Sequence, residues 1–256
     1  MTLRRQFDLL VCAMQFLTRL PTPRLAGFQP DWITRSARYF PVVGQLVGVI
    51  CAGVWLLAEQ VWPGLPAAVL AVGVGMMVTG GFHEDGLADA ADGLGGGQTP
   101  ARRLEIMKDS RIGTFGALAL IAVTLLKAAL LARMGPWSGA LALVVAHGGG
   151  RAAAVIAMAT LPYAGDADAA KIKPVPQGVR WAEALLALAL GAWPMVFLGG
   201  GRAALAFLLA TAFAAALTQT ARRLIVGVTG DVLGAVEQVA EVGLLMGAAA
   251  WLAPGG

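Results

Sequence analysis

Seven stretches of this chain, at about 40–62, 65–82, 112–133, 137–160, 181–199, 202–221 and 232–253, are apolar and long enough to cross a lipid bilayer as helices. A helix rises 1.5 Å per residue, so about 20 apolar residues carry it through ~30 Å of hydrocarbon. Seven such stretches in 256 residues leave little chain for anything else. The predicted fold class is all-α: a polytopic transmembrane helix bundle of about seven spans with polar helices on the cytoplasmic side, forming a single integral membrane domain over 1–256. Composition agrees, with 58% hydrophobic and 13% charged residues and a mean hydropathy of +0.73. Soluble domains hold about 45–50% and about 25%. Many spans are rich in Ala and Gly, which lets helix backbones approach closely. Such a bundle is compatible with a homo-oligomer. Cys12 and Cys51 lie far apart, and neither a disulfide nor a thiol-ligated metal is expected.

The connections alternate in character. Those near Pro63–Leu65, Gly135–Trp137 and Gly199–Gly201 are short hairpins, whereas those near 83–111, 161–180 and 222–231 are longer and polar. Of the 19 Lys and Arg, 15 fall in residues 1–39 and the three long connections. The positive-inside rule therefore puts these segments in the cytoplasm of a bacterial inner-membrane protein, and the charge of +4 reports topology rather than nucleic-acid binding. Residues 1–39 begin basic and apolar without a small-residue cleavage site, and are expected to form an uncleaved amphipathic segment at the membrane surface.

The connection 83–111 carries the densest chemistry. In HEDGLADAADGLGGG, Asp85, Asp89 and Asp92 stand at i, i+4 and i+7. On a helix they lie within about 60° of one another. Like charges on adjacent turns repel. Two readings stand: a solvated acidic loop, or a site for a hard divalent cation such as Mg²⁺. The second draws support from the adjoining apolar span, from the shared helical face, and from Gly93 and Gly95–Gly97, a glycine run whose N–H groups would meet an anion. Glu84 lies ~100° round the helix from Asp85 and ranks below the aspartates as a ligand.

A second polar helix follows in ARRLEIMKDSRIGTFG. By itself it reads as a surface helix of alternating charge. Opposite the acidic face, Asp109 would complete a metal site, and Arg103, Lys108 and Arg111 would hold phosphates together with Gly95 and Gly96. Carboxylates, bases and a glycine-rich turn together suit transfer of a phosphate-linked group.

HEDGLADAADG and EIMKDSRIGTFG, with FLTRLP (Phe16–Pro21), RYFPVVGQLVG (Arg38–Gly48) and TGDVLGA (Thr229–Ala235), resemble the cobalamin synthase family of adenosylcobinamide-GDP ribazoletransferases. The likeness runs collinearly to about residue 241 and is densest in 77–116. It implies an Mg²⁺-dependent enzyme joining adenosylcobinamide-GDP to α-ribazole or its 5′-phosphate, with release of GMP. On that basis Asp85, Asp89, Asp92 and Asp109, with Glu84 behind them, are the expected metal ligands. Asp85, His83 and Arg111 are the expected catalytic groups, a carboxylate or His83 taking the hydroxyl proton; His83 reads equally as a hydrogen-bonded interfacial residue. Asp231 is a second-rank ligand candidate.

A few polar residues fall inside spans. Arg151 either reaches a substrate phosphate or pairs with Glu237 or Glu241, and Glu237 and Glu241 are placed to pair with Lys127. A transporter of cations or of corrinoids is the alternative class, and it would need such groups to form a path through the bilayer.

Overall fold

The computed structural model describes residues 2–29, 31–165 and 176–251. It is helical throughout these residues, with one isolated bridge between Tyr163 and Val228. The helices are α1 (Leu3–Leu17), α2 (Trp32–Ser36), α3 (Phe40–Glu59), α4 (Leu65–Thr79), α5 (Phe82–Gly96), α6 (Pro100–Met107), α7 (Thr114–Leu131), α8 (Pro136–Thr160), α9 (Trp181–Ala192), α10 (Gly200–Ile225) and α11 (Gly230–Ala248). Short 3₁₀ turns join α2 to α3 and extend α9 to Leu198.

Among the described residues, five elements are long and apolar enough to cross a membrane: Trp32–Glu59, α7, α8, Trp181–Leu198 and α10. The pair α4 and α5 makes a sixth if counted as one bent span. The expected count of about seven is not reached, for two physical reasons. With 15 residues, α4 is short of the ~20 needed to cross, and it breaks by 91° into α5. The other reason is α11, which carries Asp231, Glu237 and Glu241 within 19 residues and is buried along nearly its whole length. It is the axis of the bundle, against which α5, α7, α8 and α10 pack. Lipid-facing surface lies instead on elements such as α7, where Phe115, Leu118, Ile121 and Leu125 are exposed, and α10, where Phe207 and Leu208 are.

The Ala and Gly content supports close packing. A Cβ on Gly48 of α3 would lie 2.7 Å from the Val144 Cα of α8, and one on Gly243 of α11 would lie 2.6 Å from Ala210 N of α10. Real Cβ atoms do not approach that closely, so larger residues there would push the helices apart. Within the stretch 1–39 expected to be amphipathic, the chain forms α1 and then α2, which opens the span Trp32–Glu59. α1 buries Leu9, Val11, Cys12, Ala13 and Leu17 and leaves Leu3 and Phe7 exposed. Arg35 and Arg38 pair with Glu183 at 2.8 and 2.6 Å, fastening the entry of α3 to the first turn of α9.

Candidate active site

The site begins at the break between α4 and α5. Gly80 and Gly81 both hold positive φ, 75° and 70°, which L side chains rarely adopt. Two left-handed residues in succession end α4 and throw α5 across its end. This places the acidic helix at the mouth of a cleft of about 640 Å³. Phe16, Arg19, Phe82, Asp85, Asp89 and Ser110 are among its walls. Close passage of α5 over α11 fixes the acidic helix: a Cβ on Gly86 would lie 3.0 Å from Asp231 O, and one on Gly234 would lie 3.2 Å from His83 O.

Asp85 is exposed and Asp89 half-buried, both on the cleft. Glu84 is half-buried and lines two spaces, this cleft and a smaller pocket beneath it that His83, Lys127, His147, Arg151 and Gln238 also line. Its Oε1 accepts a hydrogen bond from Gln238 Nε2 at 3.1 Å, whereas its Oε2 is buried without a partner. A buried carboxylate oxygen left unpaired is costly. Glu84, Asp85 and Asp89 offer hard oxygen donors of the type a divalent cation such as Mg²⁺ takes, although their ligand atoms are not gathered within 4.8 Å of one another.

Other residues singled out in the sequence lie elsewhere. Asp92 shares the helical phase of Asp85 but stands seven residues on, about 10 Å further along the axis. There it meets the start of α7, accepting from Gly113 N at 2.7 Å and Gly116 N at 2.9 Å, so both oxygens cap a helix N-terminus. Asp109 accepts from Arg111 Nε at 3.0 Å, Nη2 at 2.7 Å and its backbone N at 3.1 Å. These hydrogen bonds hold the Asp109 carboxyl down at a pKa of about 2. The expected four-aspartate set is not drawn together. Among the described residues, the set of three ligand atoms lying within 4.8 Å of one another comes from His147, Glu237 and Glu241.

The phosphate-binding residues expected from the sequence are not among those lining the cleft, although Ser110 and Ile112 on either side of Arg111 are. Gly95 and Gly96 lie in the last turn of α5, where their N–H groups belong to the helix rather than to an open anion-binding turn. The glycines serve packing: a Cβ on Gly95 would lie 3.0 Å from the Phe115 ring, and one on Gly97 would lie 2.8 Å from Arg103 N. Arg103 is half-buried with its Nε unpartnered, and Lys108 and Arg111 are exposed on the polar segment that ends at Ser110 and α7. His83 is 5% exposed, edge-on to Phe82, and lines the inner pocket rather than the cleft.

Below the cleft the polar residues of the spans form one cluster. Lys127 Nζ donates to Glu241 Oε2 at 2.5 Å and to Gln238 Oε1 at 2.6 Å. Arg151 Nη1 meets Glu237 Oε1 at 2.8 Å, Glu241 Oε1 at 3.3 Å and His147 O at 2.9 Å, and His147 Nδ1 lies 2.7 Å from Glu241 Oε1. Arg151 is 2% exposed, so of its two readings the fold builds the pair with Glu237 and Glu241. The groups a transporter would need for a path are spent on one another.

Gln238 closes the circuit, donating also to Glu237 Oε2 at 3.0 Å. Its amide oxygen faces an ammonium and its amide nitrogen faces two carboxylates, so the opposite orientation would set like poles together. Sequence reasoning passed over Gln238, although a Gln between two buried glutamates on an apolar helix was a signal. It also gave no site role to Arg19, which counted toward topology and lay within the FLTRLP segment of the resemblance.

The cobalamin-5-phosphate synthase family matches residues 9–249. Among curated proteins, the adenosylcobinamide-GDP ribazoletransferase of Leptothrix cholodnii is 45% identical over 252 residues, covering 94% of this chain and 93% of its own. Its namesake from Ralstonia pickettii is 44% identical over 98% of both chains, and that from Vibrio parahaemolyticus is 38% identical over 94% of this chain and 91% of its own. No solved structure matches the chain. An all-helical membrane chain that sets an acidic helix over a cleft, with this match along almost its full length, belongs to the cobalamin-5-phosphate synthase family and is a transferase of cobalamin synthesis.

Proposed function

We propose that the chain joins adenosylcobinamide-GDP to α-ribazole or its 5′-phosphate, giving adenosylcobalamin or its 5′-phosphate and GMP. The observation that carries this reading is the trio Glu84, Asp85 and Asp89 on one cleft, with Glu84 Oε2 buried and unpaired. These three residues would hold Mg²⁺. Bound there, it would neutralise charge on the diphosphate and on the departing GMP.

The reaction forms a bond from the ribazole 3′-oxygen to the phosphorus on the cobinamide side and breaks the bond from that phosphorus to the bridging oxygen, which leaves with GMP. The hydroxyl proton passes to a cleft carboxylate, Asp85 or Asp89, rather than to His83, which lines the inner pocket. Asp92 contributes by holding the first turn of α7 at the rim. Phe16, Phe82, Ile112 and Leu120 supply an apolar wall against which a flat macrocycle or base rests and which excludes water. The bias of 15 of 19 basic residues toward residues 1–39 and the long connections supports a bacterial inner-membrane location with the cleft facing the cytoplasm.

The test is GMP release from adenosylcobinamide-GDP by detergent-purified protein. Release should require both Mg²⁺ and α-ribazole. Release without α-ribazole, or none with both present, overturns the proposal.

A further inference from the structure

Among the described residues, Arg19 is the one basic side chain lining the cleft that Asp85 and Asp89 face. It makes no ion pair among the described residues. The fold builds a seat for it. At the end of α1 the backbone of Thr18 is extended, with φ −139° and ψ 163°, and its hydroxyl bonds back to Met14 O at 2.8 Å. The chain thereby passes directly to the end of α4, where Arg19 N donates to Val78 O at 2.8 Å. The guanidinium then lies over Gly80: a Cβ there would come within 2.7 Å of Arg19 Cζ and 2.9 Å of Nη2. Gly80 thus supplies both the turn of the chain and the room for this side chain.

We propose that Arg19 is a substrate-binding residue that grips the diphosphate of the nucleotide-activated substrate; this rests on the transferase reading above. One divalent ion only balances the charge of Glu84 and Asp85, so a diphosphate ester entering the cleft needs a further cation. The planar guanidinium presents donors in a fork that matches phosphate oxygens. Arg103, Lys108 and Arg111, the bases first expected in this role, do not line the cleft. A purely structural Arg19 would instead serve as a cation at the C-terminal end of α4. Lysine would supply that charge equally well but not the fork.

The experiment uses the full chain in dodecyl maltoside, with Arg19→Gln and Arg19→Lys alongside the unsubstituted protein. Turnover of adenosylcobinamide-GDP with α-ribazole and Mg²⁺ tests the transferase reading, and calorimetric binding of GDP with Mg²⁺ tests Arg19 separately. Expected are GDP binding weaker by about tenfold or more in Arg19→Gln, a matching rise in KM that exceeds any fall in kcat, and only partial recovery in Arg19→Lys. GDP affinity within twofold of the unsubstituted protein in Arg19→Gln overturns the proposal, as does absence of GDP binding by the unsubstituted protein. Full recovery by Arg19→Lys overturns it as well. If Arg19→Gln does not fold, weakened GDP binding by Arg19→Lys supports the proposal and unchanged binding overturns it. Repetition in phosphatidylcholine nanodiscs separates substrate from lipid phosphate. A defect present in both media supports the proposal, whereas one confined to the bilayer overturns it in favour of a headgroup.

Discussion

Two groups of charged residues share Glu84 and Gln238 as their boundary and differ in how their charges are answered. In the inner cluster, Lys127 and Arg151 meet Glu237 and Glu241 directly and His147 and Gln238 take further contacts, although Arg151 Nε is buried without a partner. On the cleft, Asp85 and Asp89 are among the lining residues, and Glu84 keeps one buried oxygen without a partner. Charge compensated inside a bundle holds helices in place, because in hydrocarbon the alternative is an unpaired ion. A buried carboxylate oxygen left unpaired, as on Glu84, favours a cation brought in from outside the chain. We read this difference as giving the cluster to architecture and the proposed chemistry to the cleft, although conventional metal-ligand types gather more tightly in the cluster.

The comparison breaks most visibly if the cluster tolerates loss of one partner. Glu241→Ala leaves Lys127, His147 and Arg151 facing a void and should cost about 3–5 kcal/mol, read as a lower thermal midpoint and a lower yield of monodisperse protein. Adding Lys127→Met to Glu241→Met should restore much of that loss, since a packed apolar pair removes both charges together. In the cleft the effects should reverse. Asp85→Asn should lower turnover by at least about a hundredfold while leaving the thermal midpoint unchanged.

Between the two regions, Gln238→Met removes the donor that fixes Glu84 Oε1, and should weaken Mn²⁺ binding about tenfold or more, measured by titration of the purified protein. Asp92→Asn should cost about 1 kcal/mol of stability through the lost cap on α7, with a smaller effect on turnover than Asp85→Asn.

The smallest effect is expected at Asp109. Its folded pKa is depressed from 3.8 to about 2, so whatever its pairing with Arg111 contributes is present above pH 3.8 and lost as pH falls toward 2. A decline in activity between pH 7 and pH 4 therefore arises at other groups. Asp109→Asn should leave that limb of the pH profile in place.

The helical class and most span positions follow from the apolar runs, because hydrocarbon thickness sets how many residues must be apolar. Asp85 and Asp89 were legible as neighbours through helical phase. Phase gives direction and not what stands opposite, which is why it also admitted Asp92, two turns on, where α7 begins. The same argument ranked Glu84 low, since the pocket that makes it the link between two regions is formed with α4, α7, α8 and α11. The glycine run read as loop from composition alone. Its helical state reflects packing, in that Gly93 and Gly95 let α6 and α7 press onto α5. The structural role of α11 was hidden because three acidic residues in an apolar stretch look alike whether they face water or one another.

The central claim is that the cleft, and not the inner cluster, takes the divalent ion. Mn²⁺ binding to the full chain in detergent, followed by electron paramagnetic resonance of free Mn²⁺, tests it directly. The account predicts binding that is lost when Asp85 and Asp89 are both replaced by Asn and retained in His147→Gln. Binding that survives the double replacement and disappears with His147→Gln would contradict it.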